Sequence, residues 1–227
     1  MKILLQQLVI GISIGSIYAL IASGYALVYS LLDFSNWAHG EVCMLGAYCC
    51  WMAVKVAQLP FWLSCALNVG GVFIGTTDLM CMALALIVLA FLLFIIHRTR
   101  FGLHVRAVAC AGRTAGLLGI RIDRVIAMVF MLAGGLAGLA GILYGMKYNV
   151  YPTMGNVGLK AFAASVIGGL GSVPGAIAGA VLLGLIETLA SGYISSGLRD
   201  LIAFSLLIII LLVRPSGLLG VDVQEKA

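Results

Sequence analysis

Residues 98–124 read RTRFGLHVRAVACAGRTAGLLGIRIDR and hold six of the eight arginines in the chain. The sequence on either side of this stretch is almost continuously apolar. A positive charge at the centre of a bilayer costs about 2.5 to 3.5 kcal/mol on insertion scales, so the stretch must lie outside the hydrocarbon. Loops rich in Lys and Arg are retained on the cytoplasmic side of a membrane. We therefore predict a polytopic membrane protein that is oriented by a basic cytoplasmic loop over residues 97–124.

The composition agrees with a membrane protein and argues against several soluble classes. Apolar residues make up 63% of the chain and charged residues 9%, whereas a soluble domain carries about 25% charged residues. The net charge of +5 is concentrated in the basic loop, so it indicates orientation and not nucleic-acid binding. The six cysteines contain no C-x-x-C pair and are read as small buried hydrophobic residues, so we predict no metal site and no cofactor.

Seven stretches are apolar enough to be helices that cross the membrane, which takes about 20 residues. They run near 6–32, 42–58, 60–77, 79–96, 125–146, 161–190 and 201–213. The first is too long for the apolar region of a signal peptide, which is about 7 to 15 residues. Four spans before the basic loop would place Lys2 and Lys55 on the same side as that loop. The predicted fold is an all-α transmembrane helical bundle that forms one domain over residues 1–227.

The stretch 161–190 contains the run GGLGSVPG at residues 168–175, which interrupts the helical pattern. Irregular backbone at membrane depth is tolerated only where protein or a water-filled cavity satisfies its polar groups. We predict a broken or re-entrant helix here, after which the last span ends inside and leaves Arg214 in the cytoplasm. The candidates in this segment for lining a translocation pathway are Gly168, Gly169, Gly171 and Ser172.

A second polar group lies between the first two predicted spans and contains Asn36, His39 and Glu41. Ionisable groups near membrane depth usually face a cavity or a partner, so these residues are candidates for the lining of a translocation pathway. The alternative is that Asn36, or the serine before it, caps the second helix. Glu187 leaves the same choice open between pathway and structure, whereas Asp78 is read as the boundary between two spans.

The run GISIG at residues 11–15 matches the G-x-S-x-G pattern of serine hydrolases. That pattern marks a nucleophile only on a strand-to-helix turn, and here it lies inside an apolar helix. Small residues at four-residue spacing, such as Gly11 and Gly15, are typical of close helix packing in lipid. An intramembrane serine protease that uses Ser13 and His39 is the alternative from another functional class. The chain contains no G-x-x-x-x-G-K-[ST] phosphate loop, so it does not bind ATP in that way.

The basic loop has the periodicity of a short amphipathic helix. Its apolar positions recur at steps of three and four residues, and two arginines one heptad apart lie on the opposite face. The apolar positions are Val108, Ala111, Ala115 and Leu118, and the arginines are Arg106 and Arg113. Three roles fit this pattern, namely contact with anionic lipid, a solvated connector, and docking on a cytoplasmic partner. The periodicity does not choose between them.

A series of motifs resembles those of a known family. The motifs are NWAHGE at 36–41, RTRFG at 98–102, RAVA at 106–109, GIRIDRV at 119–125, GLKAF at 158–162, GGLGSVPGA at 168–176 and RPSGL at 214–218. In this order, and over nearly the whole chain, they resemble the permeases of branched-chain amino acid ABC importers. Within that family they look most like the first type of high-affinity leucine/isoleucine/valine permease.

The resemblance implies a transport subunit in a bacterial inner membrane, not an enzyme, and it implies several partners. These are a second related permease, two cytoplasmic ATPase subunits that bind the ATP, an extracytoplasmic substrate-binding protein, and membrane lipid. It also implies that the basic loop couples the permease to an ATPase. The implied coupling residues are Arg106, Val108, Ala111, Arg113, Ala115, Leu118, Gly119 and Asp123. Related permeases for a short-chain amide or urea share the motifs, so such a substrate is an alternative.

Two departures from the family pattern are visible. Members of the family are usually longer, and the missing part falls near residues 71–79, where a further span is expected. The loss of one span reverses the side of everything before it, so two alternatives stay open: the N-terminal helices sit differently, or the chain is a shortened relative with impaired activity. In the coupling segment, residues 110–113 read CAGR in place of a more polar stretch, so docking on the ATPase is a second point at which this chain is expected to differ.

Overall fold

The computed structural model describes residues 2–57, 66–69, 72–148, 150 and 154–220. In these residues the chain forms eight α helices and one short 3-10 turn, Ser196–Leu198. The helices are α1 Lys2–Leu32, α2 His39–Ala57, α3 Thr76–Arg98, α4 Arg100–Leu117, α5 Ile122–Lys147, α6 Asn156–Gly168, α7 Val173–Tyr193 and α8 Arg199–Val213. Four of them, α1, α3, α5 and α7, are long and apolar enough to cross a membrane. The prediction of a helical multi-pass membrane bundle is confirmed.

One predicted span is wrong. Where a helix was expected near 60–77, the described residues form two four-residue strands, β1 Ala66–Val69 and β2 Val72–Gly75. The strands pair antiparallel, with Ala66 opposite Gly75 and Val69 opposite Val72. The sequence between the strands is a Gly-Gly pair, which favours a tight hairpin and disfavours a continuous helix. The first part of the predicted span, residues 60–65, lies outside the described residues.

Helix α1 is the centre of the bundle, because every residue from Ser13 to Val28 is buried. It runs antiparallel to α7, since a Cβ added at Gly11 would meet Thr188 and one added at Gly15 would meet Val181. The glycine spacing that predicted close packing therefore brings two backbones together here. The same does not hold at every such position, because a Cβ at Gly134 would meet nothing.

The two ends of the bundle are identified by the helix ends that meet at each of them. The early residue Ser13 of α1 contacts Asp78 at the start of α3 and Lys147 at the end of α5. Helix α4 therefore lies at the opposite end, where α3 ends and α5 begins. We call the end that carries α4 the basic end and the other the distal end. The first half of α1 lies at the distal end, because Ser13 contacts Asp78 and Lys147 there, so the prediction that placed Lys2 beside the basic loop is wrong.

The glycine-rich segment is broken as predicted. Helix α6 ends at Gly168, α7 begins at Val173, and the two pack as an antiparallel hairpin. The turn needs glycine at two positions, because φ is +114° at Gly169 and +82° at Gly171. Ser172 then caps α7, since its side chain accepts a hydrogen bond from the N–H of Gly175.

This turn lies at the basic end, because Gly171 sits against Tyr29 and Ser30 near the end of α1. The chain returns to the same place after α8, where the N–H groups of Leu218 and Leu219 donate to the last carbonyls of α6 at 2.8 and 2.9 Å. Arg214 therefore lies at the basic end, as the broken-helix prediction requires.

Candidate functional site

Helix α4 forms most of the predicted basic loop. It begins after Thr99, whose Oγ1 accepts a hydrogen bond from the N–H of Gly102 at 3.3 Å and donates to the carbonyl of Ile95 at 2.6 Å. The helix is interrupted at Ala111, which has the extended torsions φ −153° and ψ 78°. The prediction of a short helix in this loop is correct, but the break divides it into two pieces that need not present one continuous face.

The predicted apolar stripe of α4 is split between two faces. Val108 and Ala115 are buried against the bundle, whereas Ala111 and Leu118 are exposed. The physical reason is the break at Ala111, after which the periodicity of the first piece no longer applies. The surface that a partner could reach is therefore a different one from the predicted stripe. Its most exposed large apolar side chains are Leu117, which is 89% exposed, and Leu118, which is 79% exposed.

A groove of about 410 Å³ lies where α4 meets α5. Its lining is formed by Phe101, His104, Leu118, Gly119, Ile120, Arg121, Arg124, Val125 and Met128. Of the predicted coupling residues only Leu118 and Gly119 line it, and Gly119 has a φ of +86° that glycine adopts without strain. Arg106 and Arg113 are exposed on α4, and Asp123 is exposed in the first turn of α5. The arginine cluster was the available signal for Arg121 and Arg124, and the motif RTRFG contains Phe101, whereas nothing in the sequence marked His104.

The predicted polar group before α2 occupies two environments. His39 is buried, its ring lies 4.7 Å from that of Tyr25, and its Nε2 makes no hydrogen bond to any described residue. Asn36 orders the entry into the helix, because its Oδ1 accepts from the N–H of Ala38 at 3.2 Å and its carbonyl accepts from the N–H of His39 at 3.1 Å. The capping interpretation stays a prediction, because Ala38 precedes the first residue of α2 and the Asn36 side chain therefore closes a turn before the helix. The third residue, Glu41, lies against Gly155, just before α6.

The two predicted halves of the pathway meet different parts of α1. His39 lies against Gly24, whereas Gly171 lies against Tyr29 and Ser30. Gly168 packs on Gly175, and Ser172 is used as the cap of α7. The structure therefore brings both groups to the basic half of α1 without joining them into a single cluster.

The serine protease alternative finds no support in the geometry. Ser13 donates to Asp78 at 3.2 Å and accepts from Lys147 at 3.0 Å. His39 lies against Gly24, which is eleven residues, or about 16 Å of helix, further along α1. The expected nucleophile and base are therefore in different parts of the bundle.

Sequence reasoning missed most of a group of charges at the distal end. Lys160 of α6, Glu187 of α7 and two residues at the start of α8, Arg199 and Asp200, form a network of ion pairs. Glu187 was noticed as an acid in an apolar helix, but its partners come from distant parts of the chain. We call these four residues the distal charge cluster.

The described residues form a bundle of membrane-spanning helices with a broken helical hairpin and a basic helix at one end, as expected of a polytopic membrane protein. Comparison with known sequences supplies the family. The family described as branched-chain amino acid transport system, permease component, matches residues 7–77 and 66–211. The chain belongs to this family.

Individual relatives agree. The high-affinity branched-chain amino acid transport system permease protein LivH of Escherichia coli K12 is 33% identical over 300 residues, which covers 98% of this chain and 97% of the relative. The high-affinity branched-chain amino acid transport system permease protein BraD of Pseudomonas aeruginosa is 31% identical over 299 residues, which covers 98% of this chain and 97% of the relative. A probable LivH of Methanocaldococcus jannaschii is 31% identical over 139 residues, or 58% of this chain and 44% of the relative. No solved structure matches the chain.

The alignment also shows that the chain is shortened relative to these proteins. It spans 300 residues although the chain has 227, so part of the bacterial relatives has no counterpart here. The two family matches overlap at residues 66–77, which is where the strands β1 and β2 replace the expected span.

Proposed function

We propose that this chain is a transmembrane subunit of an ABC importer that moves branched-chain amino acids into the cytoplasm across a bacterial inner membrane. The family match over nearly the whole chain carries this proposal. The partners are a second related permease, two ATPase subunits that bind and hydrolyse the ATP, and an extracytoplasmic protein that delivers the substrate. The chain itself contributes conformational change and no covalent step. The basic end faces the cytoplasm and the distal end faces outward, in keeping with the retention of arginine-rich loops inside.

Helix α4 and the groove beside it are the proposed docking surface for an ATPase subunit. Binding energy at protein interfaces is concentrated in a few apolar or aromatic anchors that fill pockets. Leu117 and Leu118 are exposed apolar groups of this kind at the end of α4. The surrounding arginines contribute mainly to orientation and to the association rate, and they also suit anionic lipid headgroups.

The proposed pathway runs along the basic half of α1. Its members are the buried His39 and the neighbouring Glu41 on one side and the turn between α6 and α7 on the other. A turn made of glycines leaves backbone groups close to the helix ends, where movement of α6 against α7 changes the space available. Ser172 caps the start of α7, and Asn36 orders the turn that leads into α2.

The test is transport by the complete importer. The chain is co-expressed with its ATPases, second permease and binding protein in cells that lack other routes of leucine uptake. We expect accumulation of labelled leucine that unlabelled isoleucine and valine inhibit and that acetamide and urea do not. A matched control replaces the phosphate-loop lysine of the ATPases and should abolish accumulation. Uptake of acetamide or urea in place of leucine would contradict the proposed substrate.

A further inference from the structure

The distal charge cluster is held together by three short ion pairs. Lys160 Nζ lies 2.5 Å from Glu187 Oε1 and also 2.5 Å from Asp200 Oδ1. Arg199 Nε lies 2.7 Å from the same Glu187 Oε1. Two cations thus share one carboxylate oxygen, and a second carboxylate completes the neutralisation of Lys160. The cluster joins α6, α7 and α8 at the end of the bundle that faces away from α4.

Burial falls steadily across this cluster. The Glu187 side chain is fully buried, Lys160 is 14% exposed, Arg199 is 25% exposed and Asp200 is 68% exposed. The charges therefore lead from the distal surface into the bundle. An ionic ligand that arrives from the distal side meets Asp200 first and Glu187 last.

Two features show that the cluster could bind a ligand. Glu187, inside the bundle, can accept a further hydrogen bond, and the Asp200 carboxylate, at the surface, can be replaced by another carboxylate. Glu187 lies next to the buried hydroxyl of Tyr18, but its buried Oε2 makes no hydrogen bond of normal geometry to a described residue, and a buried carboxylate oxygen that is short of donors is unfavourable. The Asp200 carboxylate, in contrast, is mostly in water and gives up little when its ion pair opens. The cluster can therefore accept a new donor at Glu187 and exchange its carboxylate at Lys160.

We infer that the distal charge cluster binds the charged backbone of an α-amino acid. The α-carboxylate of the ligand takes the place of the Asp200 carboxylate on Lys160, and the α-ammonium donates to Oε2 of Glu187. Asp200 acts as an internal substitute for the ligand carboxylate while the site is empty. This inference rests on the proposed function and sharpens it, because a zwitterion satisfies both positions at once and a neutral amide or urea satisfies neither charge.

The ligand side chain meets apolar surface in the same region. The segment between α7 and α8 exposes Ile194, which is 67% exposed, and Leu198, which lies next to Arg199 in sequence. No charged group is needed there for a branched aliphatic side chain. The cluster therefore recognises the charged backbone groups that all amino acids share. The apolar segment between α7 and α8 favours amino acids with aliphatic side chains.

The test measures binding of labelled leucine to the purified complex of both permeases and the ATPases, without the binding protein. Competition by leucinamide, which lacks the carboxylate, and by 4-methylpentanoate, which lacks the ammonium, separates the two subsites. We expect saturable leucine binding, with each competitor at least tenfold weaker than unlabelled leucine. Equal competition by either compound, or no leucine binding at all, would overturn the inference.

Two substitutions address the exchange directly. Asp200→Asn removes the competing carboxylate and should tighten leucine binding about threefold to tenfold, a change that a purely structural ion pair cannot produce. Lys160→Gln should reduce binding at least tenfold and make leucinamide and leucine similar competitors. Asp33→Asn is the matched control, since Asp33 is an exposed acid at the basic end, and it should leave binding unchanged.

The outcomes separate this inference from the proposed function. If Asp200→Asn weakens leucine binding or leaves it unchanged while the complex assembles normally, the cluster is a latch between helices and not a ligand site. Leucine uptake by the intact importer would then still support the proposed function. If the intact importer accumulates urea and not leucine, the proposed substrate and this inference fail together.

Discussion

Charges at the distal end of the bundle are paired and largely buried, whereas the arginines at the basic end are exposed and form none of the four ion pairs found in the described residues. The distal pairs join helices to each other, as Asp78 of α3 does with Lys147 of α5 at 2.5 Å. The arginines of α4 and its flanks meet solvent, lipid or a partner instead. Paired charges inside the bundle fix positions, and unpaired charges outside remain available for recognition.

The largest effect expected from this difference is an all-or-none labelling pattern. In a variant whose only cysteine is Cys110, a membrane-impermeant thiol reagent should react in inverted vesicles and not in intact cells, because Cys110 is exposed on α4. The matched variant contains only Ser195→Cys, at an exposed position at the distal end, and should react in intact cells. Labelling of both variants from the same side would show that the two ends do not lie across a membrane.

The next largest effect concerns the buried partner of the distal cluster. Glu187→Gln should lower the free energy of unfolding by about 3 to 5 kcal/mol, because it leaves Lys160 and Arg199 without their shared carboxylate. The measurement is denaturant unfolding of the purified protein in detergent. Asp33→Asn, an exposed change at the basic end, should stay within about 0.5 kcal/mol of the unchanged protein. Similar stabilities for the two variants would mean that the distal pairs hold nothing together.

The turn between α6 and α7 offers a graded effect at the basic end. Gly169→Ala should lower the free energy of unfolding by about 2 to 3 kcal/mol, because φ is +114° and the new Cβ would collide with the backbone of Gly220. Gly171→Ala should cost about 1 to 2 kcal/mol, since φ is +82° but the nearest atoms of Tyr29 and Ser30 are at 3.8 and 3.9 Å. The same unfolding measurement applies, and a reversed order would rule out the contact with Gly220.

The smallest effects are expected on the exposed face of α4. Leu118→Asp should weaken co-purification with the ATPase about tenfold and reduce leucine uptake in parallel, since it places a charge on an apolar anchor. Arg113→Ala should change affinity about threefold or less, mostly through the association rate and in a salt-dependent way. If both variants keep the complex but fail to insert into the membrane, α4 is only a topological anchor.

Local signals in the sequence predicted the elements that depend on local physics. The run from Gly168 to Gly175 predicted the broken helix because glycine and proline act on the backbone where they stand. The arginines between 98 and 124 predicted a segment outside the hydrocarbon, because a charge inside the hydrocarbon is costly whatever the fold. Both predictions needed no knowledge of which helices become neighbours.

The remaining errors come from information that no single segment contains. The side of the N-terminus depends on the number of spans, so one strand pair in place of a helix at 66–75 reverses it. The inward direction of Val108 and Ala115 depends on the break at Ala111 and on where the bundle lies, which amphipathic spacing does not specify. Lys160 and Arg199 are separated by most of α6 and all of α7, so their meeting at Glu187 is a result of the fold.

Helix α8 is fastened at both ends and loosely packed between them. At its start, Asp200 forms an ion pair with Lys160 of α6. After its end, the chain is hydrogen-bonded to the last carbonyls of α6. Among the described residues of α8, Ala203 is the one buried side chain. Its 15 residues span about 22 Å. Helix α8 therefore lies alongside α6 and is connected to it at both ends. If the inferred ligand displaces Asp200, α8 loses its ion pair with α6 at the outer end but keeps the Arg199–Glu187 ion pair with α7 there and the hydrogen bonds to α6 at the inner end.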